Sequence, residues 1–494
     1  MKAIIPHPFF THAYNFTRDS MIKEIVNLAK RVFLTHMDQS GGFMSDENYV
    51  YDDGKQKAKY KVKIVQTRLI DILYEICCLK QYGSKTITRN EALHLINLYN
   101  DYENIKEKEL LRNNNVILYV LGFLGEQKKF QGPAVFFEEF AREKYILDVV
   151  SYNSPKDKTC GIDFKKEFLD ETGYSTDDYS AILLLVWFLL TNSVGEVTDT
   201  NIRSTLKYKN PILSPDNVLN VINKYCISVD AIRNHPLKRQ VFYAYPIIKD
   251  GDTYIPSNPY LLLALFANSN YWVLRNKYLR LGKKSQNFTN AFGCYYETYF
   301  ADVLENCLSA NSFERIPEEN SAKRADWHIK MGNYNFIVEQ KSSISLLGIK
   351  QSHPDVNALK KHLTEHWKEA IEQLNNTQTF YKYENTIKVI LVYEDYYISA
   401  ALDELYKLDP SITNDNKVWL VTVNEFESLL QLYKKSPDIA LSIINEKDRI
   451  ETTRIYGERD LKQLFFKNGI DHNIYLEDSG IYDDQFMHIQ KSCE

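Results

Sequence analysis

"ADWHIKMGNYNFIVEQKSS" occupies residues 325–343. It reads as two strands joined at Met331-Gly332-Asn333, where glycine and asparagine supply the turn. Side chains alternate faces along a strand. Glu339 and Lys341 therefore share one face of the second strand, and Phe336, Val338 and Gln340 point to the other. Asp326 begins the first strand. Folding back at 331–333 sets it level with the Glu339–Lys341 end, so two carboxylates and an ammonium converge. A plain salt bridge at a solvated strand end would use the same residue types, and such pairs are worth little. The combination sets this stretch apart: an upstream aspartate, a hairpin, an apolar strand, and a glutamate and lysine on one face. "EQK" recurs at Glu126–Lys128, but with no apolar strand before it and no aspartate at hairpin distance.

That constellation suits metal-assisted phosphodiester hydrolysis. Magnesium takes oxygen ligands, usually one or two protein carboxylates with waters and substrate phosphate. Asp326 and Glu339 supply carboxylates, and the Gln340 main-chain carbonyl between Glu339 and Lys341 is a further oxygen. Mn2+ is expected to substitute. Lys341 would position or deprotonate the attacking water and offset charge growing at phosphorus.

The flanking sequence is regular. A helix reads over "AFGCYYETYFADVLENCL" (291–308), then a strand near "SFERI" (312–316), then the hairpin. A long helix covers about 355–382, with Val356, Leu359, Leu363, Trp367, Ile371 and Leu374 as its stripe. Strand "TIKVILVY", helix "SAALDELYKL", strand "KVWLVTV" and helix "NEFESLLQLYKK" follow. The order is α-β-β-β-α-β-α-β-α. "FGCYYETYFADVL", "RADWHI" and "FIVEQKSS" together resemble the PD-(D/E)xK nuclease superfamily, which has the restriction-endonuclease-like fold. The resemblance covers about residues 285–435. It implies an α/β core with a central mixed sheet, and places Asp326 as the motif aspartate with Glu339 and Lys341 as (D/E)xK. It adds Glu297, on the leading helix, to the catalytic and metal-binding set. Alone, Glu297 reads equally as a solvated helix residue. Ala325 stands where the motif has proline. The resemblance further implies Mg2+-dependent endonucleolytic cleavage of DNA. With a helical half in front, the layout looks like bacterial restriction or anti-phage defence proteins.

The chain of 494 residues carries 44% hydrophobic and 25% charged residues, enough for two or three domains with real cores. The expected class is α+β and multidomain. Residues 1–235 form a mostly helical recognition, sensing or assembly domain; 236–290 a β-hairpin and helix connector; 291–435 the nuclease core; and 436–494 a helical extension with an acidic, loosely structured tail. "SMIKEIVNLAKRVFLTHM", "TRNEALHLINLYNDY" with its Thr88/Glu91 capping box, and "SPDNVLNVINKYC" with Ser214 before a proline are the clearest N-terminal helices. "AILLLVWFLL" (181–190) is about half the length a bilayer needs and reads as a helix buried all round, so no membrane role is expected. Asp250-Gly251-Asp252 marks a hairpin. A domain boundary is expected near 285.

The net charge of −5 excludes a chain that binds nucleic acid by overall basicity, so DNA contact requires a local patch. Arg275, Lys277, Arg280, Lys283 and Lys284 form one beside the nuclease core. The lysines at 55, 57, 59, 61 and 63 share one face of an extended strand. They read first as a solvated edge strand guarded by its charge, and alternatively as a track for a phosphate backbone. "HLTEH" (362–366) reads first as histidines lying near phosphate or on a wet helix face, and only remotely as an HxxEH pattern that presents His362 and His366 to zinc with Glu365 between. The seven scattered cysteines suggest no disulfide framework and fit a reducing cytoplasm. No GxxxxGK[ST] loop is present, so any nucleotide hydrolysis would come from a partner protein. Cutting both strands of a duplex with one site per chain favours a homodimer or higher oligomer. The rival readings are a catalytically silent nucleic-acid-binding or interaction scaffold and, more remotely, a zinc peptidase.

Overall fold

The computed structural model describes residues 7–35, 44–52, 54, 57–110, 130, 134–154, 161–193, 196–206, 210–282, 285–317, 323–342, 356–394, 399, 401–412, 415–453 and 459–493. Of these, the side chains of 105–110, 285, 286, 356, 366, 492 and 493 are outside the description.

Eleven strands fall in three sheets among the described residues. β1 (Met44–Asp52) and β2 (Lys57–Val65) make an antiparallel hairpin. β3 (Val197–Thr198), β4 (Cys226–Ser228), β5 (Ile247–Asp250) and β6 (Thr253–Pro256) make a small sheet ordered β3-β6-β5-β4. β5 and β6 turn at Gly251, whose φ is +58°, as the Asp-Gly-Asp signal requires. β7 (Phe313–Arg315), β8 (Trp327–Met331), β9 (Tyr334–Lys341), β10 (Thr386–Val392) and β11 (Val418–Thr422) build a mixed sheet ordered β11-β10-β9-β8-β7. β9, β10 and β11 run parallel, and β8 is antiparallel to both β7 and β9. The expected α-β-β-β-α-β-α-β-α order is observed, and the chain is α+β.

The two faces of this sheet are covered by different helices, as the period-2 pattern demands. Phe336, Val338, Val389, Leu391, Trp419 and Val421 enter one core with the helices Ser285–Cys307 and Val423–Lys435. Ile337, Ile390, Val392, Val418 and Leu420 enter a second core with the Val356–Tyr381 helical segment and the helix Ala401–Leu408. Thr422 ends β11 and caps the next helix through a reciprocal box with Glu425. In the Val356–Tyr381 segment, Leu359, Leu363, Trp367, Ile371 and Leu374 are buried as expected. A widened π turn at Leu363–Trp367 interrupts the α-helix. Apolar residues four apart drift around an α-helix of 3.6 residues per turn, and the extra residue in that turn returns the stripe to the sheet.

The first core continues through the N-terminal half, from Phe9 to Ile489. The helices on the two sides of residue 285 touch: Tyr271 of the helix Pro259–Arg280 meets Phe288 and Phe292 edge-on. Arg142, on the helix Ala134–Tyr145, donates to both oxygens of Glu427 at 2.8 and 2.7 Å. Tyr299 and Asn473 also donate to that carboxylate, at 2.6 and 2.5 Å, and both side chains of the ion pair are buried.

Three expectations are corrected here. Residues 436–494 are a helical extension as expected, but their end is not a loosely structured tail: after Pro437–Thr453 and Leu461–Lys467, the helices Ile474–Asp478 and Ile481–Cys493 continue it. Phe486 of the last helix packs on Phe140 and Phe137. The helix Thr176–Asn192 is not buried all round, since Phe188 is 55% exposed; a helix on the rim of a core leaves one stripe in water. Cys294 is disulfide-bonded, although the scattered spacing suggested no disulfide framework; Cys77, Cys78, Cys226 and Cys307 are free. The capping box of Thr88 and Glu91 and the Ser214 cap are both present. No helix among the described residues is long and apolar enough to cross a membrane.

Candidate metal centre

The β8–β9 register pairs Trp327 with Val338 and Met331 with Tyr334. Gly332, at φ +60°, makes the turn. Asp326 then falls level with Glu339: its N–H donates to the Val338 carbonyl at 3.0 Å, and its Oδ2 accepts from the Gln340 N–H at 2.7 Å. In an extended strand the N–H and C=O of one residue project to the same side. The Gln340 carbonyl therefore faces the side where Asp326 lies, one step beyond the end of the β8 ladder. The Gln340 side chain lies on the opposite face of the sheet, where it accepts from Trp327 Nε1 at 2.7 Å.

Glu339 and Lys341 share the other face, as alternation requires, and Lys341 Nζ donates to Glu339 Oε1 at 2.7 Å. Glu339 is only 3% exposed, and its Oε2 is buried without a hydrogen-bond partner. Burial pushes the Glu339 carboxyl up to about 8; the Asp326 carboxylate and, less, Glu297 add to the rise, and Lys341 partly offsets it. A buried carboxyl beside other carboxylates resists ionising because its charge is neither hydrated nor fully paired.

Glu297 is brought close by the Ser285–Cys307 helix. A Cβ built on Gly293, one turn before Glu297, would lie 3.2 Å from Ser342 Oγ, so this stripe of the helix runs tight against the end of β9. The Glu297 carboxylate is held by Arg315 of β7 at 2.6 Å. Among the described residues, no three His, Cys, Asp or Glu side chains form a ready ligand group. Two carboxylates and a main-chain carbonyl remain as the oxygen set. They fit a hard divalent cation, because an orphaned, buried carboxylate oxygen beside a second carboxylate is the donor such an ion takes up.

Sequence reasoning missed Gln373. It lies on the helix Lys368–Tyr381, accepts from Lys341 Nζ at 3.3 Å and donates to the Arg324 carbonyl at 3.2 Å. One turn on, Thr377 Oγ1 accepts from the Ala325 N–H at 2.9 Å. Polar residues one turn apart on an otherwise apolar stripe were the available signal.

Two of the five cations of the expected nucleic-acid patch pair within the chain. Lys277 pairs with Glu167 at 2.7 Å and Arg280 pairs with Glu171, both from the helix Phe164–Thr172. Arg275 is half-buried, and Lys283 and Lys284 lie outside the described residues. Sequence separation hid these partners. The β2 lysines 57, 59, 61 and 63 are all exposed on a two-stranded hairpin, and Lys61 pairs with Asp46 at 2.8 Å, which matches the solvated edge strand; Lys55 lies outside the described residues. In HxxEH, Glu365 is exposed and pairs with Lys361 at 3.8 Å, while the π turn at Leu363–Trp367 changes the helical spacing on which the pattern depends. The His366 side chain and the Glu126–Lys128 tripeptide lie outside the described residues.

Compared with known proteins, the chain matches no family model, and neither a curated protein nor a solved structure is significantly similar to it.

Proposed function

We propose that this protein is a divalent-cation-dependent endonuclease that hydrolyses phosphodiester bonds in DNA, in the manner of restriction or anti-phage defence nucleases of the PD-(D/E)xK type. One observation carries the reading: Asp326, a buried Glu339 with an unpartnered oxygen, and Lys341 meet at the end of one hairpin. Asp326 and Glu339 are the carboxylates that would hold Mg2+ or Mn2+, with the Gln340 carbonyl beside them. The bound ion would supply a water of lowered pKa and neutralise charge on the phosphate. Lys341, held by Glu339 and Gln373, is placed to orient the water and to accept or release its proton. Water oxygen bonds to phosphorus, the bond to the leaving oxygen breaks, and that oxygen takes up a proton.

A silent scaffold with the same fold is the second reading. The hold of Arg315 on Glu297 favours it, since it takes one carboxylate out of the expected set. Plasmid nicking and linearisation in Mg2+ or Mn2+, with Lys341→Ala in parallel, separates the two. Cutting by the wild type that is lost in the variant supports the nuclease. Equal cutting by both places the activity elsewhere, and DNA binding without cutting in any divalent ion favours the scaffold.

A further inference from the structure

Beside this centre lies an aromatic surface to which the proposed reaction assigns no role. Phe380 is 59% exposed at the end of the helix Lys368–Tyr381, although it is among the largest apolar side chains. The Arg324 guanidinium lies 3.7 Å from the Phe380 ring centre and 5.5 Å from that of Tyr381. Tyr381 and Tyr383 are parallel within 2° at 5.3 Å, and Tyr383 stacks on His328 of β8 at 3.8 Å within 7°. Glu314 accepts from the Tyr383 hydroxyl at 3.1 Å and lies 3.0 Å from His328 Nδ1, which fixes the inner end of this column.

The backbone is bent to make it. Lys382 and Asn385 both adopt positive φ, 51° and 44°, a region that non-glycine residues rarely occupy and that clusters at functional sites. The left-handed Lys382 ends the helix and sets Tyr381 and Tyr383 on the same side. Its own side chain is exposed and makes no hydrogen bond or ion pair among the described residues. One exposed ring beside half-buried ones, a stacked guanidinium and an unpaired ammonium are the parts of a surface that takes unpaired bases and their phosphates. The surface is connected to the centre: Gln373, Thr377 and Phe380 lie on one stripe of the helix, at spacings of four and three. Gln373 touches both Lys341 and the Arg324 carbonyl.

We infer that Phe380, with Arg324, Tyr381 and Lys382, is a stacking platform for an unpaired nucleobase next to the cleavage centre, so that the preferred substrate has single-stranded character. This rests on the nuclease reading, and binding measured in EDTA separates the two. Anisotropy of labelled oligothymidine, oligouridine and a duplex of equal length, with full-length wild type, Phe380→Ala and Phe380→Trp, is the test. Removing one stacked base contact should weaken single-strand binding about tenfold, with the duplex changed by less than about twofold and tryptophan restoring affinity. The arm that loses affinity, thymidine or uridine, identifies DNA or RNA. No single-strand binding by the wild type, no loss in Phe380→Ala, or equal loss on duplex overturns the platform. If the platform holds and Mg2+ supports no cleavage that Lys341→Ala abolishes, the nuclease reading fails alone; the converse result removes the platform alone.

Discussion

Lys341 Nζ stands 2.7 Å from Glu339 Oε1, while the other oxygen of that carboxyl is buried without a partner. One ammonium does not satisfy the buried group, and its carboxyl is raised to about 8. In the unfolded chain a glutamate ionises near about 4.3. The native state therefore binds the proton more tightly, and the stability this supplies is present in full below about 4.3 and lost as pH rises toward about 8. Glu339→Gln removes that loss. Thermal melts from pH 4 to 9 should show the variant gaining on the wild type with rising pH and levelling off above about 8, by on the order of a few kcal/mol. A difference that does not change with pH would show that Glu339 ionises normally.

A divalent cation needs the ionised carboxylate and must displace that proton. Mg2+ or Mn2+ should raise the melting temperature more at pH 8.5 than at pH 6, with little or no rise in Glu339→Gln and in Asp326→Asn. The measurement is a melt series against metal concentration at both pH values. An equal rise in wild type and variants would place the cation elsewhere.

Arg142 and Glu427 join residues far apart in sequence inside one buried network. Breaking a buried pair by removing one partner leaves the other charge unsolvated, at about 3–5 kcal/mol. Arg142→Met should lower the urea midpoint accordingly, and the double variant Arg142→Met, Glu427→Gln should recover part of the loss. Additive losses in the double-mutant cycle would deny the coupling.

Gly332 turns the hairpin that levels Asp326 with Glu339. Its φ is +60°, and a Cβ there would lie 2.9 Å from Leu441 Cδ2. Gly332→Ala combines a left-handed strain of about 1 kcal/mol with displacement of Leu441. Chemical denaturation should show a loss of about 1–2 kcal/mol, reduced when Leu441→Ala is added.

Much of the candidate site was legible in one dimension. Alternation put Glu339 and Lys341 on one face, and a Gly-Asn turn set Asp326 opposite Glu339, because strand period and hairpin register are local properties. The caps at Thr88 and Ser214 follow from side chains reaching backbone within three residues. Tertiary packing decided the rest. It buried Glu339 under a helix that supplies Gln373, gave Glu297 to Arg315, and paired Lys277 and Arg280 with Glu167 and Glu171. It also turned the supposed tail into helices packed on the N-terminal half, and stacked Arg324 on Phe380. Each of these joins residues brought together by the chain's path, and burial and ion pairing depend on that path, which no local spacing encodes.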